Sequence, residues 1–117
     1  MKPESRYVRK AEELFREAKM DLDIGCFNKA VSAFYFSIES LANAILFKYG
    51  QRVRGFRGRI NTIAILVSKK VAKDMLYLYE LRVLADHKED LMSKEMAYGA
   101  FKIAEKLYSE LKRFLER

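Results

Sequence analysis

The stretch Gly25-Cys26-Phe27-Asn28-Lys29-Ala30-Val31-Ser32-Ala33-Phe34-Tyr35-Phe36 decides the fold, together with its continuation to Leu46-Phe47-Lys48-Tyr49-Gly50. Ala30/Val31, Phe34/Tyr35, Ile38, Leu41/Ala42, Ile45/Leu46 and Tyr49 recur every three or four residues. That is the 3.6-residue period of a helix that buries one face. Asn28 stands where an N-cap is wanted. Gly25 and Gly50 are the stops on either side, because glycine takes the left-handed conformation at a helix end without steric cost.

Working outward, Tyr7, Ala11, Leu14/Phe15, Ala18 and Leu22 make a second apolar stripe. A first helix is expected from about Pro3 to Ile24, with the proline tolerated in its first turn. The connection from Gly25 to Asn28 is short, which makes the two helices antiparallel neighbours. Downstream, Gln51 to Gly58 reads as a loop with arginines between Gly55 and Gly58. A third helix is expected from Arg59 to Ala72, with Ile60, Ile63/Ala64 and Val67 on one face. Asp74 can cap a fourth from Met75 to about Asp90, and Ser93 precedes a fifth that carries Met96/Ala97, Ala100/Phe101, Ala104, Leu107/Tyr108, Leu111 and Phe114/Leu115. The expected fold class is all-α, an antiparallel up-and-down bundle of four to five helices, with residues 1–117 as one domain.

The fourth segment differs from the others. Leu76, Tyr79 and Val83 fall on one side, and Leu78, Leu81, Leu84 and Ala85 cover most of the rest. A helix apolar nearly all round is either central or shared with another subunit. A homodimer through helix 4 is therefore expected. Arg82 falls inside this apolar girdle and needs a partner, and Asp86, one turn on, is placed to supply it.

Half of the 117 residues are apolar and 33% are charged, which is a globular composition and not a disordered one. The longest apolar stretch, Ser40 to Phe47, falls far short of the roughly 20 residues a membrane span needs. Met1-Lys2-Pro3-Glu4 has no apolar segment behind a basic start, so neither a secretory signal nor a membrane partner is expected. A lone Cys26 excludes an internal disulfide and suits the reducing cytoplasm. Glutamine occurs once while Lys, Arg and Glu abound, a bias found in proteins of thermophiles.

The net charge of +7 sits in one place. Between Glu39 and Asp74 there is no acidic residue, yet the interval holds Lys48, Arg52, Arg54, Arg57, Arg59, Lys69, Lys70 and Lys73. The remainder carries 15 cations against 16 carboxylates, so all of the excess belongs to this segment. Such a block points to a polyanionic partner, RNA or an acidic protein face. Arg52, Arg54, Arg57 and Arg59 are the expected nucleic-acid contacts.

His87 is the only histidine, and no HExxH, ExxH or paired-cysteine spacing exists, so no metal is expected. No P-loop or dinucleotide glycine pattern is present, and Gly55-Phe56-Arg57-Gly58 is only a glycine-spaced basic segment. What remains is Arg82-Val83-Leu84-Ala85-Asp86-His87, an arginine and a histidine separated by four residues.

At these two places the chain resembles the HEPN domain family. The stretch Gly25 to Phe36 looks like that family's signature between its first two helices, a glycine and an aromatic before an Ala-Val pair and a double aromatic. Arg82-x-x-Ala85-Asp86 lies where the family places its arginine motif. The resemblance runs from about Tyr7 to Leu115 and points to the small stand-alone prokaryotic branch. It implies a helical bundle that often dimerises, needs no cofactor, and works in one of two ways. One is a nucleotide- or RNA-binding accessory subunit of a nucleotidyltransferase, as in toxin–antitoxin pairs. The other is a metal-independent ribonuclease in which Arg82 meets the phosphate charge, His87 moves a proton and Asp86 orients or pairs. A helical adaptor with no nucleic-acid role is the further alternative.

Overall fold

The computed structural model describes residues 2–87 and 91–117. Both glycine stops act as the sequence implies. Gly25 sits at φ +83°, where the Cys26 N–H donates to the Asp21 carbonyl at 2.8 Å and the Gly25 N–H to that of Leu22 at 3.2 Å. Gly50, at φ +67°, repeats the pattern, with Gln51 donating to Leu46 at 2.8 Å and Gly50 to Phe47 at 3.1 Å. These paired backward bonds satisfy carbonyls that a helix end otherwise leaves open. They close α1 (Ser5–Asp23) and α2 (Phe27–Lys48).

The other elements are α3 (Gly55–Leu66), α4 (Lys69–Asp86) and α5 (Lys94–Leu115), and no strand occurs among the described residues. α1 and α2 are antiparallel. Ser37 Oγ donates to the Ala11 carbonyl and Ser40 Oγ to that of Tyr7, each at 2.7 Å, so one chain rises as the other falls.

α2 is the central helix and packs against all four others. Val31, Phe34, Tyr35, Ile38, Leu41 and Ile45 are buried on it, as are Ala30, Ala42 and Ala44. Each large side chain of this kind contributes about 1.5–3 kcal/mol by leaving water. α2 is also long and apolar enough to cross a membrane by length and composition, with a mean hydropathy of 1.4 over its best window. Its central position accounts for that apolarity, since a helix surrounded by neighbours has no face that must be polar. α4, by contrast, leaves Leu76, Tyr77, Val83 and Leu84 exposed. The expectation that an apolar fourth helix is either central or shared thus loses its first branch.

Four boundaries differ from the sequence reading. α3 begins at Gly55, so Gly55-Phe56-Arg57-Gly58 is its first turn and the loop shrinks to 49–54. α3 ends at Leu66 and not at Ala72, because Ser68 turns extended and caps α4, its Oγ accepting from the Val71 N–H at 3.1 Å. β-branched Ile65 and Val67 and the cap-former Ser68 make this a weak helical run. Asp74, read as the cap, lies inside α4 and faces Lys70 at 3.6 Å and Lys106 at 3.9 Å. α4 ends at Asp86, where His87 turns extended, and so falls short of the expected Asp90, a position outside the described residues. Ser93 caps α5 as expected, accepting from the Met96 N–H at 3.1 Å.

Candidate functional site

Along α2, Asn28, Ser32, Phe36, Glu39 and Asn43 step by three or four residues and form a polar and aromatic stripe on an otherwise apolar helix. α4 lays Tyr79, Arg82 and Asp86 against the first half of that stripe. The Arg82 guanidinium lies 5.3 Å from the ring centroid of Tyr35 and 5.2 Å from those of Phe36 and Tyr79. A cation over aromatic faces is stabilised by about 0.5–2 kcal/mol, more as water is excluded.

Asp86 is the partner that the helical spacing implies, its Oδ2 lying 3.4 Å from Arg82 Nη1. Its other oxygen accepts from Ser32 Oγ, which ties α4 to α2. Arg82 Nε is buried and has no hydrogen-bond partner among the described residues. The Tyr35 hydroxyl donates to Glu39 Oε2 at 2.8 Å. Burial first, and then this bond to Glu39, push the phenol well above its ordinary range. Tyr79 stacks on Phe56 of α3, with centroids 3.8 Å apart.

His87 has left the helix. It is exposed and occupies the C-cap of α4, with extended backbone (φ −71°, ψ 128°), while its N–H donates to the Leu84 carbonyl at 3.2 Å. The angular offset between positions 82 and 87 of a straight helix therefore does not apply to this pair. Asn28, expected as an N-cap, lies within the first turn of α2, whose cap position belongs to Cys26. The asparagine instead donates to the Ala85 carbonyl at 2.7 Å and accepts from the Met92 N–H at 3.0 Å.

The basic block divides by environment. Arg52, Arg54 and Arg57 are exposed and make no ion pair among the described residues. Arg59 turns inward, donating from Nε to Asn43 Oδ1 at 3.0 Å and lying 3.5 Å from Glu39. Positions 57 and 59 lie on one helix about 200° apart, so they cannot share a face. Lys48 Nζ donates to the Leu115 carbonyl at 2.8 Å and so caps α5. The exposed arginines follow the C-terminal end of α2, whereas Arg82 and Asp86 pack on its N-terminal half. Ser32 and Lys48 are about 24 Å apart by helical rise. The expected site residues thus form two groups at opposite ends of one helix. No cluster of three His, Cys, Asp or Glu that could hold a metal occurs among the described residues.

Sequence reasoning missed Asn28 as a tie, and also Ser32, Tyr35, Phe36 and Tyr79 around the arginine. The polar stripe of α2 was the available signal.

The described residues form a small five-helix module with an arginine held among aromatic rings near the end of α4. Within it, the sequence pattern of the HEPN domain matches residues 5–114, and the chain belongs to the HEPN domain family. It is also similar to a UPF0332 protein of Archaeoglobus fulgidus, with 29% identity over 106 residues, covering 84% of this chain and 83% of that protein.

Proposed function

We propose that this chain is an RNA- or nucleotide-binding HEPN protein that serves a nucleotidyltransferase as accessory subunit and has no catalysis of its own. One observation carries the binding part: Arg52, Arg54 and Arg57 stand exposed and without ion pairs among the described residues, in a stretch that contains no carboxylate. Arg82, in contrast, is engaged by three rings and Asp86. Family membership supports the accessory role, and the exposed Leu76, Tyr77, Val83 and Leu84 of α4 support a protein partner, a second copy first of all. The test is RNA binding between about 50 and 200 mM salt, where released counterions make phosphate contacts fade steeply. Absence of binding at the low end would sink this reading. Sedimentation equilibrium of the parent and a Leu84→Glu variant tests the homodimer; two monomeric profiles would overturn it.

The second reading is a metal-independent ribonuclease. It is favoured by the unpartnered Nε of Arg82 and by the exposed His87 one residue past Asp86. A 2′-hydroxyl would attack the adjacent phosphate and form a 2′,3′-cyclic phosphate as the bond to the 5′-oxygen breaks; His87 would take the proton of the attacking hydroxyl or give one to the leaving 5′-oxygen, and Arg82 would meet the developing charge. Cleavage that survives chelators and disappears in His87→Ala would establish it.

A further inference from the structure

A run of three cavities that share walls lies along α2 where α1 flanks it. The first, about 550 Å³, lies where α1 begins and α2 ends, and is lined by Tyr7, Asn43, Phe47, Gln51, Arg52 and Arg54 among others. It shares Tyr7 and Asn43 with a second of about 210 Å³, which adds Lys10, Phe36 and the carboxylate of Glu39. The second shares Leu14 and Phe36 with a third of about 440 Å³, which ends on Ser32 and Asp86. The trough therefore runs from the exposed arginines to the arginine box.

The first cavity has no carboxylate in its lining. Phe47 is 44% exposed there and is backed by Tyr7, whose ring centroid is 5.8 Å away at 49°. The Arg6 guanidinium covers Tyr7 at 5.4 Å and adds a further cation to the rim. Asn43 gives its Oδ1 to Arg59, which leaves its amide N–H groups unengaged among the described residues. Gln51 donates to the Tyr49 carbonyl at 3.3 Å and keeps its carbonyl oxygen.

We propose that this cavity is a subsite for one nucleotide of single-stranded RNA, with the base on Phe47, its edge read by Asn43 and Gln51, and the flanking phosphates on Arg52 and Arg54. An apolar partner would not be met by two unpaired arginines, and an acidic peptide would have no use for an open ring beside two amides. A duplex can meet the arginines through its phosphates but cannot fill the subsite, because its bases are stacked on one another and offer no face to Phe47. A single strand offers every base in turn, which is how aromatic platforms and a basic groove hold it without a fixed sequence. The inference rests on the RNA-binding reading above and specifies where and in which form the RNA is held.

The experiment measures binding of a fluorescein-labelled 12-nucleotide single-stranded RNA, and of the same strand annealed to its complement, to the intact chain across about 50 to 200 mM salt. Phe47→Leu keeps the apolar bulk at an exposed position. It should lower single-strand affinity about 5- to 150-fold, the range to which ~1–3 kcal/mol per stacked base corresponds, with duplex affinity and salt slope unchanged. The double variant Arg52→Gln/Arg54→Gln should weaken both ligands and flatten the salt slope by about two charges. Crosslinking a 4-thiouridine-substituted strand should label Phe47 or Tyr7. If Phe47→Leu binds like the parent while the double variant does not, the subsite is wrong and only a charged surface remains. If the parent binds no RNA, the functional reading falls with it. If the Phe47 variant changes sedimentation and not RNA affinity, the trough is a protein interface and the proposal is overturned.

Discussion

Asn28, in the first turn of α2, donates from Nδ2 to the carbonyl of Ala85, near the end of α4, at 2.7 Å, and 57 residues separate them. Ala85 O is one of the carbonyls that the end of α4 cannot satisfy internally. With its other amide atom Asn28 accepts from Met92, so a single side chain holds the chain on both sides of His87.

Replacing Asn28 by alanine should therefore destabilise the fold by about 1–3 kcal/mol, since a partly buried donor and acceptor each lose a partner. Asn28→Asp should recover less than half of that, because its carboxylate can accept from Met92 but repels the Ala85 carbonyl. Urea midpoints of the three proteins decide it; an alanine variant within 0.5 kcal/mol of the parent, on the order of a neutral surface change, would leave the tie without energetic weight.

Arg82→Ala removes a cation from three aromatic faces and leaves Asp86 with Ser32 alone. The Asp86 side chain is 47% exposed, so water can take over its charge and the loss through the ion pair is small. The expected cost is about 1–3 kcal/mol, mostly from the emptied space among the rings. Arg82→Lys should also be destabilised, because an ammonium lacks the flat face that stacks. Equal thermal midpoints for the lysine variant and the parent would contradict this account.

The arginines should separate into two behaviours. Arg57→Gln should reduce RNA affinity and leave the urea midpoint unchanged. Arg59→Gln should act mainly on stability, by about 0.5–1.5 kcal/mol, because its guanidinium is bonded to Asn43 and faces Glu39. A variant pair that shows the reverse pattern would mean that the inward turn of Arg59 is not kept in solution.

Tyr35 makes stability depend on alkaline pH. Its phenol is held neutral in the fold, by burial first and by Glu39 second, and its folded pKa lies above the ordinary 10.0. For a group raised in this way the contribution is fully present below pH 10 and is lost as the pH climbs towards the folded value. Between about pH 9 and 11 the parent should lose more stability than Tyr35→Phe, which has no phenol to ionise. Parallel curves for the two proteins would show that Tyr35 does not report on the interior.

The helices themselves, and the two glycine stops, were legible in the sequence because each depends on neighbours three to five residues away. The stripe from Ala30 to Leu46 and the turns at Gly25 and Gly50 obey local rules of period and φ. The break between α3 and α4 was not legible in the same way. No glycine or proline marks it, and Ser68 becomes a cap only because the chain must turn there.

The candidate site divides along the same line. The ion pair between Arg82 and Asp86 follows from helical spacing, and the concentration of cations between Glu39 and Asp74 is plain from composition. Sequence could not say that Arg59 points inward, that Lys48 closes α5, that Asn28 bridges two distant segments, or that Tyr35, Phe36 and Tyr79 box the arginine. Each of these depends on which faces meet when α2 is surrounded, and contacts between separate helices leave no periodic trace along the chain. Periodicity thus determined that this protein is a helical bundle with a basic side. The packing around α2 alone decided which of its charges are held within the fold and which are left for a partner.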